Sequence, residues 1–289
     1  MSVINTNVSS SIAQASLAKN ERALGKAMEQ LSTGKRINSA ADDAAGLAIS
    51  SRMTAQINGL SKAIQNANDG ISMLNTAEGA MIEMTNMLQR MRELALQSAN
   101  GTMTSSDRTY INTEYTALAN ELNRIGTKTE WNGNTILDGS AGGSTGASGV
   151  SFQVGANSAD TIAVTFGKFT SGTDGSFSKF ASGGSGLAAT TYASAATLST
   201  SAITNIDTAI DAVDSKRATL GATVNRLTFA SDNLSNVKTN TEASRSRIVD
   251  TDYAAATTEL ARTQIVQQAA TAMLAQANIQ PQSVLSLLR

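Results

Sequence analysis

The sequence contains no cysteine, no histidine and a single proline, Pro281, in 289 residues. Without cysteine or histidine there can be no Cys/His zinc site, no Ser-His-Asp or Cys-His nucleophile pair and no disulfide. The missing cysteine fits a cytosolic chain as well as an exported one, so it does not choose a compartment. With only one proline, helices can run far without their usual breaker. Aromatics are 4% of the chain, and alanine supplies much of the 41% hydrophobic content, so helices can approach closely but cores stay thin. Charge is balanced at 22 basic against 23 acidic residues. No basic stripe points to nucleic acid, and no acidic tract reads as a solvating tail. No run nears the ~18 apolar residues of a membrane span, so no membrane insertion is expected. The opening MSVINTNVSSSIAQASLAKN lacks the cationic start and apolar run of a cleaved secretory signal.

What remains is two helical arms around a glycine-rich centre. Twelve of the 22 glycines fall between Gly139 and Gly186, among many serines and threonines. That composition breaks helices and marks turns and loops. In the first arm Ile57, Leu60, Ile64, Ala67, Ile71 and Leu74 recur in steps of three and four, and the stripe resumes at Met81, Met84, Leu88, Met91 and Ala95. This spacing is the seam of a long packed helix. Gly59, Gly70 and Gly79 interrupt it at about 1 kcal/mol each, so neighbours must hold it. Asn100-Gly101 ends this helix, and Thr104 or Ser105 can cap the next, with stripe Ile111, Tyr115, Leu118, Leu122 and Ile125 and a stop near Gly126. The second arm repeats the rhythm in Ile203, Ile206, Ile210, Val213, Leu220, Val224, Leu227 and Leu234.

Segments 150–154 and 161–166 alternate at period two around a turn, which predicts a β-hairpin. The expected fold is therefore mainly α: a long antiparallel helical bundle or coiled-coil rod built from both chain ends, with a small β-hairpin in the glycine-rich centre. Three regions are expected: terminal helical segments 1–44 with 245–289, a bundle and hairpin over 45–170 with 202–244, and a short variable loop at 171–201. The outer ends carry only short stripes, Leu24, Met28 and Leu31 in one and Tyr253, Ala256 and Leu260 in the other. Such segments bury too little to offset their ordering entropy alone, so they are expected to fold on pairing or assembly. Pro281 should end or bend the last helix, leaving Val284, Leu285, Leu287 and Leu288 as a dense apolar patch.

Two carboxylate pairs, Asp42-Asp43 and Asp250-x-Asp252, raise the question of a metal. Each precedes alanine-rich helical text, and helix capping accounts for both. No metal or cofactor is expected. A serine–lysine or two-carboxylate hydrolase would need a concave pocket with convergent polar groups, and a rod of small-residue helices offers none.

Longer motifs then narrow the class. INTNVSS and LSTGKRINSAADDAAGLAIS near the start, QRMRELALQSANGT at 89–102, WNGNTILDG at 131–139, FQVGAN at 152–157, SRSRIVDTDYA at 244–254 and AQANIQPQSVLSLLR at 275–289 appear in that order. Over roughly residues 1–140 and 205–289 the chain resembles bacterial flagellin, although the family more often has phenylalanine at the Trp131 position. The resemblance implies a non-enzymatic structural subunit. Its terminal helices would form the inner filament core, with a bundle-and-hairpin domain outside it. It would be exported unfolded by the flagellar type III apparatus and polymerise into the extracellular filament that drives swimming. Implied partners are further copies of the chain, an export chaperone on the C-terminal patch, and the filament cap and hook-junction proteins. Host Toll-like receptor 5 would grip at Arg90, Leu94 and Glu114, and an inflammasome receptor at the C-terminal leucines. Almost no outer domain is present between the arms. Glycans are found on central serines and threonines in some relatives, while an unmodified loop is the simpler expectation here. A hook–filament junction protein is the alternative, although the terminal QANIQPQSVLSLLR favours a filament subunit.

Overall fold

The computed structural model describes residues 7–141, 149–170 and 192–286, with the backbone alone for 192–199 and 280–286. The described elements are α1 (Val8–Thr33), α2 (Ala44–Ser98), α3 (Ser105–Lys128), β1 (Glu130–Trp131), β2 (Asn134–Thr135), β3 (Val150–Gln153), β4 (Thr161–Val164), α4 (Tyr192–Val249) and α5 (Tyr253–Ser286). The chain adopts the expected mainly α architecture with small antiparallel strand pairs. Two compact units are present, Met1–Ile57 with Thr239–Arg289 and Asn58–Lys238. Their divisions fall inside α2 and α4, where composition had suggested 44/45 and 244/245. Of the expected loop at 171–201, residues 171–191 lie outside the described residues and 192–201 already belong to α4.

In the unit Asn58–Lys238, α2, α3 and α4 enclose one apolar core. A short connection returns α3 along α2, and its geometry is tightly specified. Thr104 and Asp107 form a reciprocal capping box at the start of α3. The buried Arg108 donates to the Ser98 and Asn100 carbonyls at 3.1 Å each, so the end of α2 has partners for its free acceptors. Leu60, Leu74, Leu88, Leu122, Leu220 and Leu227 are buried in this unit, while Ile64, Ile71, Leu118, Ile210 and Val224 are half-buried. The difference has a cause. Alanines 63, 67, 202 and 209 occupy fully enclosed positions, and the adjacent isoleucines sit at the flanks of the seam.

The glycines of α2 are explained by what lies on them. A Cβ on Gly70 would meet the Phe152 ring at 3.0 Å, and one on Gly59 would meet Ala156 at 3.3 Å. The hairpin formed by β3 and β4 therefore seats on those two positions, with Asn66 Nδ2 donating to the Gln153 carbonyl at 3.2 Å. Its register pairs Val150 with Val164 and Phe152 with Ile162. Ile162, Val164, Phe166 and Phe169 turn into the core. Gly79 has open space around it, and nothing in the structure explains that glycine. Gly126 does not stop α3, which continues to Lys128. Its small size instead lets the Phe169 carbonyl approach so closely that a Cβ would lie 1.8 Å from the oxygen.

In the other unit, α1 and α5 run antiparallel. Asn7 Nδ2 donates to the Ala277 carbonyl and Asn20 Nδ2 to the Thr263 carbonyl, both at 2.8 Å, and Lys35 bridges to Asp250. The left-handed Gly34 (φ 69°) closes α1, and Thr251 N–H donates to its carbonyl at 3.0 Å. The 35–43 connection is organised by Asp42, which accepts from Asn38 N, Ser39 N and Ser39 Oγ and pairs with Lys26 at 2.8 Å. The Lys26 ammonium, followed by the Ser39 and Asn38 amides, holds the Asp42 carboxyl well below the usual carboxylate range. Asp43 caps α2 by accepting from Gly46 N, and Asp252 caps α5 by accepting from Ala254 N, both at 2.9 Å. Asp250 instead accepts from Ser246 Oγ at 2.6 Å.

Of the two outcomes expected at Pro281, an end to the helix is ruled out, because α5 continues to Ser286. A proline inside a helix leaves the carbonyl four residues back without its N–H partner. That carbonyl belongs to Ala277, and it is the one that Asn7 Nδ2 reaches. The same side chain accepts from Ser10 N at 3.0 Å, so Asn7 both caps α1 and supplies the donor that Pro281 lacks.

Candidate functional site

The interior of the α1–α5 pair is almost without bulk. Its unit buries Ala27, Ile37, Ile57 and Ala256 among apolar residues, and Ser10, Ser50 and Thr263 among polar ones. The stripes expected at the ends hold in part. On α1 Ala27 is buried while the neighbouring Met28 is exposed, and on α5 Ala256 is buried while Tyr253 is exposed. Large apolar side chains instead lie outside. Val8, Ile12 and Met28 are exposed on α1, and Ile265, Val266, Met273 and Ile279 on α5. At ~100° per residue the four α5 residues fall within about 140° of the helix circumference, so they form one broad face. Beside it Ser9, Ala13, Met273, Gln276 and Ala277 line a shallow cleft of about 330 Å³ between the two helices.

An isolated helix pair with such an inside and such an outside is incomplete. Burying an isoleucine or methionine is worth roughly 1.5–3 kcal/mol, and here most of that gain is left unclaimed. Clusters of exposed apolar residues on this scale mark association surfaces. The C-terminal residues expected to join them are beyond description. Leu287 and Leu288 lie outside the described residues, as do the side chains of Val284 and Leu285, whose backbone is helical.

A second surface lies on α2 and α3. Arg90 donates to Glu114 and Glu93, each at 2.9 Å, and all three side chains are about half exposed or more. Glu93 first, and then Glu114, raise the Arg90 pKa above the ordinary guanidinium value. Leu94, expected beside them, is only 2% exposed and belongs to the bundle core. Nearby Arg92 pairs with Asp207 of α4 at 2.7 Å, a partnership 115 residues apart that no sequence signal announces. Leu96 on the same helix is exposed, and the three-four stripe gave no reason to single it out.

The family models described as the bacterial flagellin N-terminal helical region and C-terminal helical region match residues 4–142 and 203–288. The chain belongs to the bacterial flagellin family. Members of this family are structural subunits of the flagellar filament, external to the cell, and not enzymes. This flagellin is 39% identical to Flagellin B of Vibrio cholerae serotype O1, over 99% of each chain. The alignment spans 377 residues against 289 in this flagellin, so the relative carries residues without a counterpart here. Among solved structures, Bacillus cereus flagellin is 31% identical over 59% of this chain and 88% of its own, with a TM-score of 0.47. A Vibrio parahaemolyticus structure assigned as flagellar hook-associated shares the fold at a TM-score of 0.57. It is 15% identical and covers 72% of this flagellin and all of its own length. No helix of the described residues is long and apolar enough to cross a membrane.

Proposed function

We propose that this flagellin polymerises through the outer face of α1 and α5, and that the unit containing them is completed only by further copies. The observation that supports this is the inversion of the pair, with alanine and threonine inside and isoleucine, valine and methionine outside. A copy of the same chain brings the same surplus of apolar surface, and helical assembly lets each pair cover its neighbours. On this reading segments 1–44 and 245–289 form the inner filament core, and 45–170 with 202–244 form the layer outside it. Export is through the flagellar type III apparatus. A chaperone covers Val284, Leu285, Leu287 and Leu288 beforehand, and the cap and hook-junction proteins border the finished polymer. With few residues between the two helical arms, the filament surface is smooth and thin.

Limited proteolysis tests this reading. Segments 1–44 and 245–289 should be cut readily in monomer and resist in sedimented polymer, because covering their apolar face raises the cost of local opening. Equal resistance in both states would sink it.

The Arg90–Glu93–Glu114 cluster supports a second role, as a ligand of vertebrate Toll-like receptor 5. Arg90 and Glu114 present paired charge at the surface, and the buried Leu94 holds that turn of α2 in place. An inflammasome receptor would engage the C-terminal leucines. Replacing both Arg90 and Glu114 by alanine should cut the response of receptor-reporter cells at least tenfold without lowering the melting temperature of the bundle. An unchanged response would remove this role.

A further inference from the structure

Two of the chain's ten methionines are exposed on the terminal helices, Met28 on α1 and Met273 on α5. Met28 is 56% exposed and Met273 68%. The bundle methionines contrast with them, since Met81, Met84 and Met91 are completely enclosed and Met73 nearly so. Met53, Met87 and Met103 lie between these extremes. A thioether reacts with oxidants according to its exposure, and no cysteine is present to react first.

We propose that Met28 and Met273 are the sites at which a peroxide switches off assembly of this chain. The inference rests on the reading that the α1–α5 face is buried between copies. In the reaction a lone pair on sulfur attacks one oxygen of hydrogen peroxide. The O–O bond breaks, an S–O bond forms, and the proton on the attacked oxygen passes to the departing hydroxide, which leaves as water. Sulfur is oxidised by two electrons and the peroxide is reduced by the same two. The product, methionine sulfoxide, exchanges a flexible apolar group for a strongly polar acceptor.

The consequences differ for monomer and polymer. In the free chain the sulfoxide oxygen stays in water, so the fold is little affected. Once the face is covered, each sulfoxide must give up that water, which opposes addition of the subunit. Met273 also lines the cleft with Ser9, Ala13, Gln276 and Ala277, so a polar oxygen there sits where a neighbouring copy would have to pack. In assembled polymer the same methionines are shielded. A filament already built would therefore resist an oxidant that stops new subunits from joining, until both sulfoxide stereoisomers are reduced.

The experiment treats full-length monomer and sedimented polymer with dilute hydrogen peroxide, maps sulfoxides by peptide mass spectrometry and measures seeded polymerisation by sedimentation. In monomer, sulfoxides should form at Met28 and Met273 while Met81, Met84 and Met91 remain intact. The critical concentration should rise at least tenfold and return after treatment with the two stereospecific methionine sulfoxide reductases. The critical concentration of a variant carrying Met28→Leu and Met273→Leu, measured first without oxidant, should stay at that untreated value after peroxide. The proposal is overturned if the chain, fully oxidised at both sites, assembles at the parent concentration. It is equally overturned if the leucine variant loses assembly under peroxide as the parent does. Protection within polymer separates this idea from its premise. If Met28 and Met273 oxidise as fast in polymer as in monomer, the face is not buried and the assembly reading itself fails.

Discussion

Replacing Ile12 and Ile265 together by aspartate should abolish sedimentable polymer at concentrations where the parent chain assembles completely. Both side chains lie mostly in water in the single chain, 63% and 66% exposed, so aspartate costs the monomer fold little. Assembly would bury them. Each substitution then loses roughly 1.5–3 kcal/mol of apolar burial and adds a carboxylate that must be desolvated without a partner. A combined loss of about 4 kcal/mol or more per subunit corresponds to a rise of roughly a thousandfold in critical concentration, at about 1.4 kcal/mol per tenfold. Seeded sedimentation measures that rise, and calorimetry of the monomer should show unchanged melting of the bundle unit Asn58–Lys238. Ile12→Leu with Ile265→Leu should assemble normally, because volume and polarity are nearly conserved. Assembly of the aspartate variant at the parent concentration would place the face outside the interface.

The second large effect is expected inside the bundle. Gly126→Ala should lower the melting temperature of Asn58–Lys238, although alanine is the better helix former by about 1 kcal/mol. The new methyl would sit 1.8 Å from the Phe169 oxygen and 2.9 Å from its carbon, so backbone must move. Phe169 cannot move alone. Its ring and that of Phe166 are buried, and its N–H donates to the Leu137 carbonyl at 2.8 Å. Overpacking of this kind costs about 3 kcal/mol net, or roughly 6–12 °C for a unit of this size. Gly79→Ala is the opposing control. Nothing lies within 4 Å of its Cβ position, so alanine there should stabilise by about 0.5–1 kcal/mol. If both variants melt like the parent, the close approach of Phe169 to α3 is not what selects glycine at 126.

Much of the fold was legible because its signals are local. The break at Asn100-Gly101, the Thr104 cap and the hairpin at 150–166 all arise from neighbouring residues, and the structure has each of them. One local signal was missed. Asn132-Gly133 joins β1 and β2 with φ of 49° and 78°, a two-residue turn of the kind Asn-Gly favours. The candidate surface was less legible. An alanine-rich helix such as α5 has no strong stripe, so nothing in its text separates the side that meets α1 from the side left exposed.

The sequence by itself determined the helical arms and their periodicity, the hairpin, and the exclusion of histidine and cysteine chemistry. Periodicity fixes which residues share a face. It does not fix what that face meets, because the partner is often far away in the chain. Only the tertiary structure decided that Ala63 faces the core while Ile64 and Ile71 flank it. It also decided that Gly126 makes room for a carbonyl and that Gly70 seats an aromatic ring. It brought Asn7 to the acceptor that Pro281 leaves open, 270 residues away. Contacts of that separation depend on how whole helices pair, and that pairing leaves Ile265, Met273 and Ile279 on the outside.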